Sequence, residues 1–527
     1  MELPASFTAS TRTLLGDEAF EKLVSALQEE RIFSVRLNES KVALLGTDSH
    51  SLPFYASFAK VPWCGEGFYL DRRLTFTFDP LFHAGCYYVQ EASSMFVEQA
   101  LKQYVTDPVV MLDLCAAPGG KSTHARSVLP EGSLLVANEV IRNRSQILAE
   151  NLTKWGHPDV VVTNNDPADF SNLEDLFDVI LTDVPCSGEG MFRKDPVAVS
   201  EWSDENVEIC WQRQRRILSD IWLSLKPGGL LIYSTCTYNT KEDEENVQWI
   251  RDELGAEVLP VDISEDWNIT GNLLAASDAP VYRFLPHRTR GEGFFLAVLR
   301  KVVSDSSVDD CSSHARKRAF PYVETGVPMR RNERSHAGKR AFPCAETSVP
   351  MRGTTVSKGG NKQANKKGAS GSFKEQLEIA KSWLQSLADF EWSVSGTTVT
   401  AFRKAFTDTL SLMQQSLRIV QAGIVIAELK GKDIIPNHSL AMSDQLLPDA
   451  FARVEISYEN AIAYLRKEAI ALPDTAPLGY VLLIYKNVPL GFVKNIGNRA
   501  NNLYPQEWRI RSGYLPEEVI TIDSIKR

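Results

Sequence analysis

Two hydrophobic periods alternate along this chain. Between Asp17 and Glu30, Phe20, Leu23, Val24 and Leu27 recur every three to four positions, which predicts an amphipathic helix. Short apolar runs without that spacing predict strands. Phe33 to Leu37 and Val42 to Leu45 fall in an N-terminal α+β module. Val109 to Asp113, Leu134 to Glu139, Val160 to Asp166, Phe177 to Asp183 and Leu230 to Tyr233 follow. All but the run at Val160 are succeeded by helical patterns: Ser122 to Leu129, Asn143 to Trp155 with Gly156 as its stop, Asp204 to Leu225, and Glu242 to Leu254. A strand over Glu257 to Ile263 and a hairpin of Val281 to Pro286 with Gly293 to Leu299 close the region. Strands alternating with helices predict an open, Rossmann-like α/β sheet, whose chemistry gathers at the carboxyl ends of the strands.

Those ends carry the informative residues. Lys226-Pro-Gly-Gly229 reads as a helix stop, after which the strand ends in Ser234-Thr-Cys236-Thr237. A thiol presented there is a candidate nucleophile, although a small buried cysteine is the commoner outcome for one such residue alone. The strand at Phe177 ends in Asp183-Val-Pro-Cys186-Ser-Gly-Glu-Gly190, which adds a second thiol and a carboxylate at the same edge. The strand at Val109 ends in Asp113-Leu-Cys115-Ala116-Ala117-Pro118-Gly119-Gly120-Lys121, a turn whose glycines admit a ligand to the backbone and to a helix N-terminus. It is neither a G-x-G-x-x-G nor a Walker loop. Glu139 and Asp166 end the next two strands, and an acid about 20 residues after a glycine turn is how doubly wound folds hold ribose hydroxyls. Each acid by itself could be a turn residue or a helix cap. Arg213, Arg215 and Arg216 read as a solvated or phosphate-facing patch, and His287 to Arg290 as a phosphate contact or a polar turn.

Composition narrows the class. At 527 residues the chain needs two to four domains. A net charge of -10 argues weakly against a polyanion partner. Eight cysteines without a Cys-x-x-Cys pair argue against a zinc site or a disulfide framework and fit a reducing cytoplasm. Membrane spans and a secretory leader are not expected. Residues 303 to 371 hold 13 Lys/Arg against 6 Asp/Glu between Val303 and Ser370 and lack apolar periodicity. Within them His314 to Arg330 recurs as His336 to Arg352, so a disordered basic linker with an internal duplication is expected. Beyond it, Phe373 to Leu387 predicts a helix and Leu478 to Lys494 a hairpin with Lys486 and Asn487 in its turn. Arg499 to Arg511 interleaves Tyr504 and Trp508 with basic residues, which suits phosphates and stacked bases or else a half-buried edge.

Taken together, the stretches at Asp113 to Lys121, Asp183 to Asp195, Ser234 to Thr237 and Gly291 to Phe295 resemble the Sun/NOP-type RNA (cytosine-5)-methyltransferases, in the RsmF-like branch that acts on small-subunit ribosomal RNA. Val35-Arg-Leu-Asn38 ahead of Lys41 is similar to that branch's N-terminal module, and the segment from Leu490 to Arg511 to its PUA-like RNA-binding end. The resemblance implies an N-terminal RNA-binding module over 1–80, an S-adenosyl-L-methionine (SAM) methyltransferase domain over 81–302, the linker over 303–371 and a C-terminal domain over 372–527. It implies SAM as cofactor, with Cys115, Ala116, Ala117, Pro118, Gly119, Gly120 and Lys121 cradling the methionine moiety, Glu139 on the ribose, Asp166 facing the adenine and Asp183 between cofactor and target base. Cys236 would be the nucleophile and Cys186 would serve product release. The expected activity is methylation of cytidine carbon 5 in RNA, most simply 16S rRNA or the small ribosomal subunit, by a monomeric cytoplasmic protein that binds no metal and no membrane. A transfer RNA substrate and a non-catalytic ribosome-assembly role remain alternatives. So does the pattern of DNA cytosine methyltransferases, in which the Pro-Cys thiol, here Cys186, attacks.

Overall fold

The computed structural model describes residues 2–46, 58–275, 277–303, 369–522 and 524. Residues 304–368 of the predicted basic linker, with its duplicated segment, lie outside the described residues, and its last three residues begin helix Ala369–Lys381. No helix among the described residues is long and apolar enough to cross a membrane.

The N-terminal module opens with helices Ala5–Leu15 and Asp17–Gln28. Asp17 and Glu18 sit in the first turn of the second helix, where carboxylates complement its dipole, and Phe20, Leu23 and Leu27 form its buried stripe. Strands β1 (Phe33–Leu37), β2 (Gly67–Leu70) and β3 (Tyr87–Val89) form an antiparallel sheet in the order β2-β1-β3. Val42 to Leu45, expected as a strand, is helical: Glu39–Val42 runs into a tight turn over Ala43–Leu45. Alanine and leucine favour helix, and Leu44 points to solvent, so a pleated run has no second face to bury.

The central sheet is built from β4 (Val110–Asp113), β5 (Leu134–Asn138), β6 (Val160–Thr163), β7 (Phe177–Asp183), β8 (Leu225–Thr235), β9 (Ala256–Leu259), β10 (Tyr282–Phe284) and β11 (Phe294–Lys301). Its order is β10-β11-β8-β7-β4-β5-β6, with β9 also on β11. The strands β6-β5-β4-β7-β8 are parallel, as the alternation of strands and helices predicts, and β11 pairs antiparallel with both β8 and its hairpin partner β10. The apolar strands are buried on both faces, which explains their unbroken hydrophobic runs. The Pro-Gly-Gly stretch does not stop a helix. Helix Asp204–Ile221 ends earlier, and Lys226 to Gly229 forms an irregular opening of β8, where Gly228 takes φ +77° and the register against β7 shifts.

The chain after the linker folds onto this body. Strands β12 (Phe390–Ser395), β13 (Thr398–Arg403), β14 (Ile419–Ala422), β15 (Ile424–Lys430) and β16 (Asp433–Pro436) follow helix Ala369–Lys381. β14 pairs antiparallel with β6 and completes the free edge of the central sheet. Phe402, Phe406, Met413 and Leu417 join the same apolar cluster as Phe170 and Ile217. The last sheet contains β17 (Ala452–Glu455), β18 (Gly479–Tyr485), β19 (Val488–Asn495) and β20 (Ala500–Asn502). Lys486 and Asn487, at φ 50° and 66°, make the expected two-residue hairpin turn between β18 and β19.

Candidate active site

Parallel pairing of β7 with β8 sets Asp183 beside Ser234, so the turns that follow each strand emerge together. Cys186 and Cys236 thereby meet, with their sulfurs 3.2 Å apart, and the backbone N–H of Cys236 donates to Cys186 Sγ at 3.4 Å. Both thiols are partly exposed. The contact with Cys236, aided by burial, raises the Cys186 thiol well above its ordinary value. Asp183 accepts from Ser234 Oγ at 2.9 Å through Oδ1 and from Lys121 Nζ at 2.8 Å through Oδ2. Lys121 also lies over the Phe294 ring, 5.1 Å from its centroid. Burial pulls its ammonium down, but Asp183 more than offsets this and keeps it above the usual lysine value.

The turn after β4 is the second part of the site. Gly119 adopts φ +114°, open to glycine, and starts helix Gly120–Val128. Helix Arg142–Trp155 braces this turn: Arg144 donates to Ala117 O and Asn151 to Pro118 O, each at 2.7 Å. Glu139 is buried at the end of β5, accepts from the Ile141 N–H at 2.8 Å and pairs with Arg144 at 3.2 Å. Asp113 is fully buried and accepts from Ser122 Oγ at 2.6 Å, while its Oδ1 has no hydrogen-bond partner. Burial pushes its carboxyl up to about 7. Burial also raises the Cys115 thiol, with Asp113, Asp183 and Glu139 adding to the effect, so three carboxyl groups act on this turn. The buried carboxyl groups of Asp113, Asp183 and Glu139 around this turn fit the cationic sulfonium and ammonium of SAM, while the free N–H groups at the start of helix Gly120–Val128 suit its carboxylate.

Asp166 stands at the end of the third strand region as expected, but its carboxylate caps the turn Pro167–Asn172 and pairs with Arg216 at 3.2 Å on a largely exposed surface. The arginine patch divides. Arg213 and Arg216 are exposed, whereas Arg215 stacks on Trp211 at 4.0 Å and bonds Asn246 at 3.0 Å. Tyr504 is fully buried and so is no stacking platform, and Trp508 packs against His438, ring centroids 5.2 Å apart.

One residue that pattern reading passed over is Asn138. Its Nδ2 donates to Leu114 O and Asn165 O, and its Oδ1 accepts from Thr163 Oγ1 and the Asn165 N–H, which ties the ends of β4, β5 and β6 together. An amide ending an otherwise apolar strand was the available signal. Cys64, Glu98 and His124 also converge, with all three buried. Gln90 Oε1 accepts from Arg36 at 3.0 Å, so its Nε2 faces His124 Nδ1 at 3.4 Å. With Gln90 Nε2 donating to Nδ1, His124 donates from Nε2 to Glu98 at 2.8 Å.

Comparison with known proteins follows this geometry. The family model for 16S rRNA methyltransferase RsmB/F matches residues 100–300, that for the N-terminal domain of 16S rRNA methyltransferase RsmF matches 3–92, and that for the RsmF PUA domain matches 451–510. The chain is 30% identical over 512 residues to ribosomal RNA small subunit methyltransferase F of Cronobacter sakazakii, covering 94% of each. It is 28% identical over 516 residues to the protein of the same name from Pectobacterium atrosepticum, covering 96% of this chain and 95% of that one. Among solved structures, a methyltransferase homolog from Pyrococcus horikoshii aligns at a TM-score of 0.46 with 27% identity, over 57% of this chain and 100% of the other.

Proposed function

The chain belongs to the family of ribosomal RNA small subunit methyltransferase F, and from that premise we propose that it methylates carbon 5 of a cytidine in 16S rRNA through a covalent adduct on Cys236. The observation that carries the reading is the pair of thiols 3.2 Å apart at the ends of two adjacent strands, beside a lysine-bound carboxylate. The bound cofactor, SAM, supplies an electrophilic methyl group, and the turn from Cys115 to Lys121 with Glu139 and Asp166 are the residues proposed to hold it.

Cytosine carbon 5 is a weak nucleophile. Addition of the Cys236 thiolate to carbon 6 makes carbon 5 enamine-like and able to take the methyl group. Charge then builds at the N3 edge of the ring, where the Lys121 ammonium, held by Asp183 at 2.8 Å, can stabilise it. Afterwards the carbon 5 proton must leave, and the bond from carbon 6 to the Cys236 sulfur must break. Cys186 is the proposed acceptor of that proton. Its thiol is held up first by Cys236. Bonding of the Cys236 sulfur to carbon 6 removes the contribution of the free Cys236 thiol, while burial and Glu242 still hold Cys186 up, so Cys186 must give up its own proton before it can take the one from carbon 5. The cytosine reaches this site unstacked, at a cost of a few kcal/mol.

The regions at 1–80 and 372–527 are proposed to support RNA binding around the methyltransferase body at 81–302, in a monomer acting in the cytoplasm. Bisulfite sequencing of ribosomal and transfer RNA from a deletion strain tests the substrate. Loss of one methylated cytosine in 16S rRNA, restored by the parent gene and not by Cys236→Ala, is expected. A loss confined to transfer RNA would assign the other substrate, and no loss in either would favour a binding factor.

A further inference from the structure

We propose that Glu189 is a positioning residue for the nucleophile: its buried carboxylate fixes the backbone that follows Cys236 and thereby sets where the Cys236 sulfur points. The inference rests on Cys236 being the attacking thiol.

Glu189 opens the short turn Glu189–Met191 beyond Cys186 and is 1% exposed. Its Oε2 accepts from Thr237 Oγ1 at 2.6 Å, from the Tyr238 N–H at 2.6 Å and from the Asn239 N–H at 3.0 Å. Its Oε1 accepts from Asn239 Nδ2 and from Trp202 Nε1, each at 3.0 Å. The next residue completes the grip, because the Gly190 N–H donates to the Cys236 carbonyl at 2.9 Å. A side chain at Gly190 has no room: a Cβ would lie 2.6 Å from Gly293 O and 3.0 Å from Cys236 O.

The carbonyl of Cys236, the hydroxyl of Thr237 and the amides of Tyr238 and Asn239 are thus all held by two consecutive residues. Among the described residues no lysine or arginine forms an ion pair with Glu189 at hydrogen-bond range, so neutral donors from one loop satisfy most of its lone pairs. A buried acid of this kind is a poor device for stability, since well-packed apolar residues serve as well. It is a good device for geometry, because one carboxylate oxygen here accepts two adjacent backbone amides and a hydroxyl at once. A misplacement of about 1 Å can cost about 100-fold in rate.

The test uses the full chain with Glu189→Gln, which keeps size but turns an N–H toward at least one of these donors. Single-turnover methyl transfer to 16S rRNA, the KM for that RNA, binding of S-adenosylhomocysteine by calorimetry and the melting temperature are measured together. The saturated rate is expected to fall about 30-fold or more, while KM and cofactor-product affinity stay within about threefold. Thr237→Val, which removes one bond from the same oxygen, is expected to slow the saturated step by about 3- to 10-fold, and the double variant to be no slower than Glu189→Gln alone. A Glu189→Gln rate within about threefold of the parent, or a loss residing wholly in KM or ligand affinity, overturns the proposal. So does an unfolded Glu189→Gln protein together with an unaffected Thr237→Val. If the parent itself forms neither methylated cytosine nor a Cys236 adduct, the reading of Cys236 fails first and this one falls with it.

Discussion

Cys186 Sγ sits 3.2 Å from Cys236 Sγ, and the contact raises one thiol at the expense of its freedom to ionise. A thiol held above its ordinary value stays protonated and unreactive until the solution is more alkaline. In the intact protein, iodoacetamide should therefore label Cys236 ahead of Cys186 between about pH 7 and about pH 9. Cys236→Ser removes the first cause of the shift and should move Cys186 labelling to lower pH, as read by peptide mass spectrometry. Preferential labelling of Cys186 at neutral pH would contradict this.

Lys121 and Asp183 form the charged edge of the site at 2.8 Å. Lys121→Met leaves the carboxylate beside Ser234 but removes the ammonium, and single-turnover methyl transfer should fall by about 100-fold, the usual loss for one preorganised donor. The melting temperature should change by only a few degrees. A rate within about threefold of the parent would remove Lys121 from the chemistry.

The N-terminal motif at Arg36, Asn38 and Lys41 is an internal staple. Arg36 is 1% exposed, donates to Gln90 Oε1 at 3.0 Å and Thr123 Oγ1 at 2.7 Å, and stacks on Trp155 at 4.4 Å. Asn38 Nδ2 donates to Gly85 O and Trp155 O, and Lys41 Nζ to Met442 O. Arg36→Met strands those acceptors and should cost about 2–4 kcal/mol in urea unfolding. The salt dependence of RNA binding should not change, because this arginine cannot neutralise a phosphate from inside the protein. A shallower salt slope with unchanged stability would contradict the assignment.

The free edge of β6 is covered by β14, and Phe402, Phe406, Met413 and Leu417 enter the main core. A chain cut after residue 302 should therefore expose an apolar sheet edge and aggregate. A soluble truncated protein that binds S-adenosylhomocysteine as tightly as the full chain would show that the methyltransferase body folds alone.

Much of this arrangement was legible in sequence because burial on both faces leaves largely apolar runs in β4, β5, β7 and β8, and the residues at or just beyond their ends, Asp113, Glu139, Asp183 and Cys236, have chemistry that is obvious out of context. What could not be read depended on distant partners. Arg36, Asn38 and Lys41 look like surface cations and amides until Trp155 and Met442 are seen beside them. Arg215 reads as part of a solvated run until Trp211 and Trp249 flank it. The Val42 to Leu45 run has the length of a strand, but alanine and leucine favour helix and Leu44 lies exposed, and it is helical. The strand β14 lies about 260 residues after β6, beyond the reach of any local pattern.

The most direct test of the account is a denaturing gel of Cys186→Ala and Cys236→Ala proteins incubated with 16S rRNA and SAM. The account predicts that Cys186→Ala accumulates a covalent RNA adduct and Cys236→Ala does not, since attack precedes release. An adduct that builds up in Cys236→Ala and not in Cys186→Ala would contradict it and make Cys186 the nucleophile.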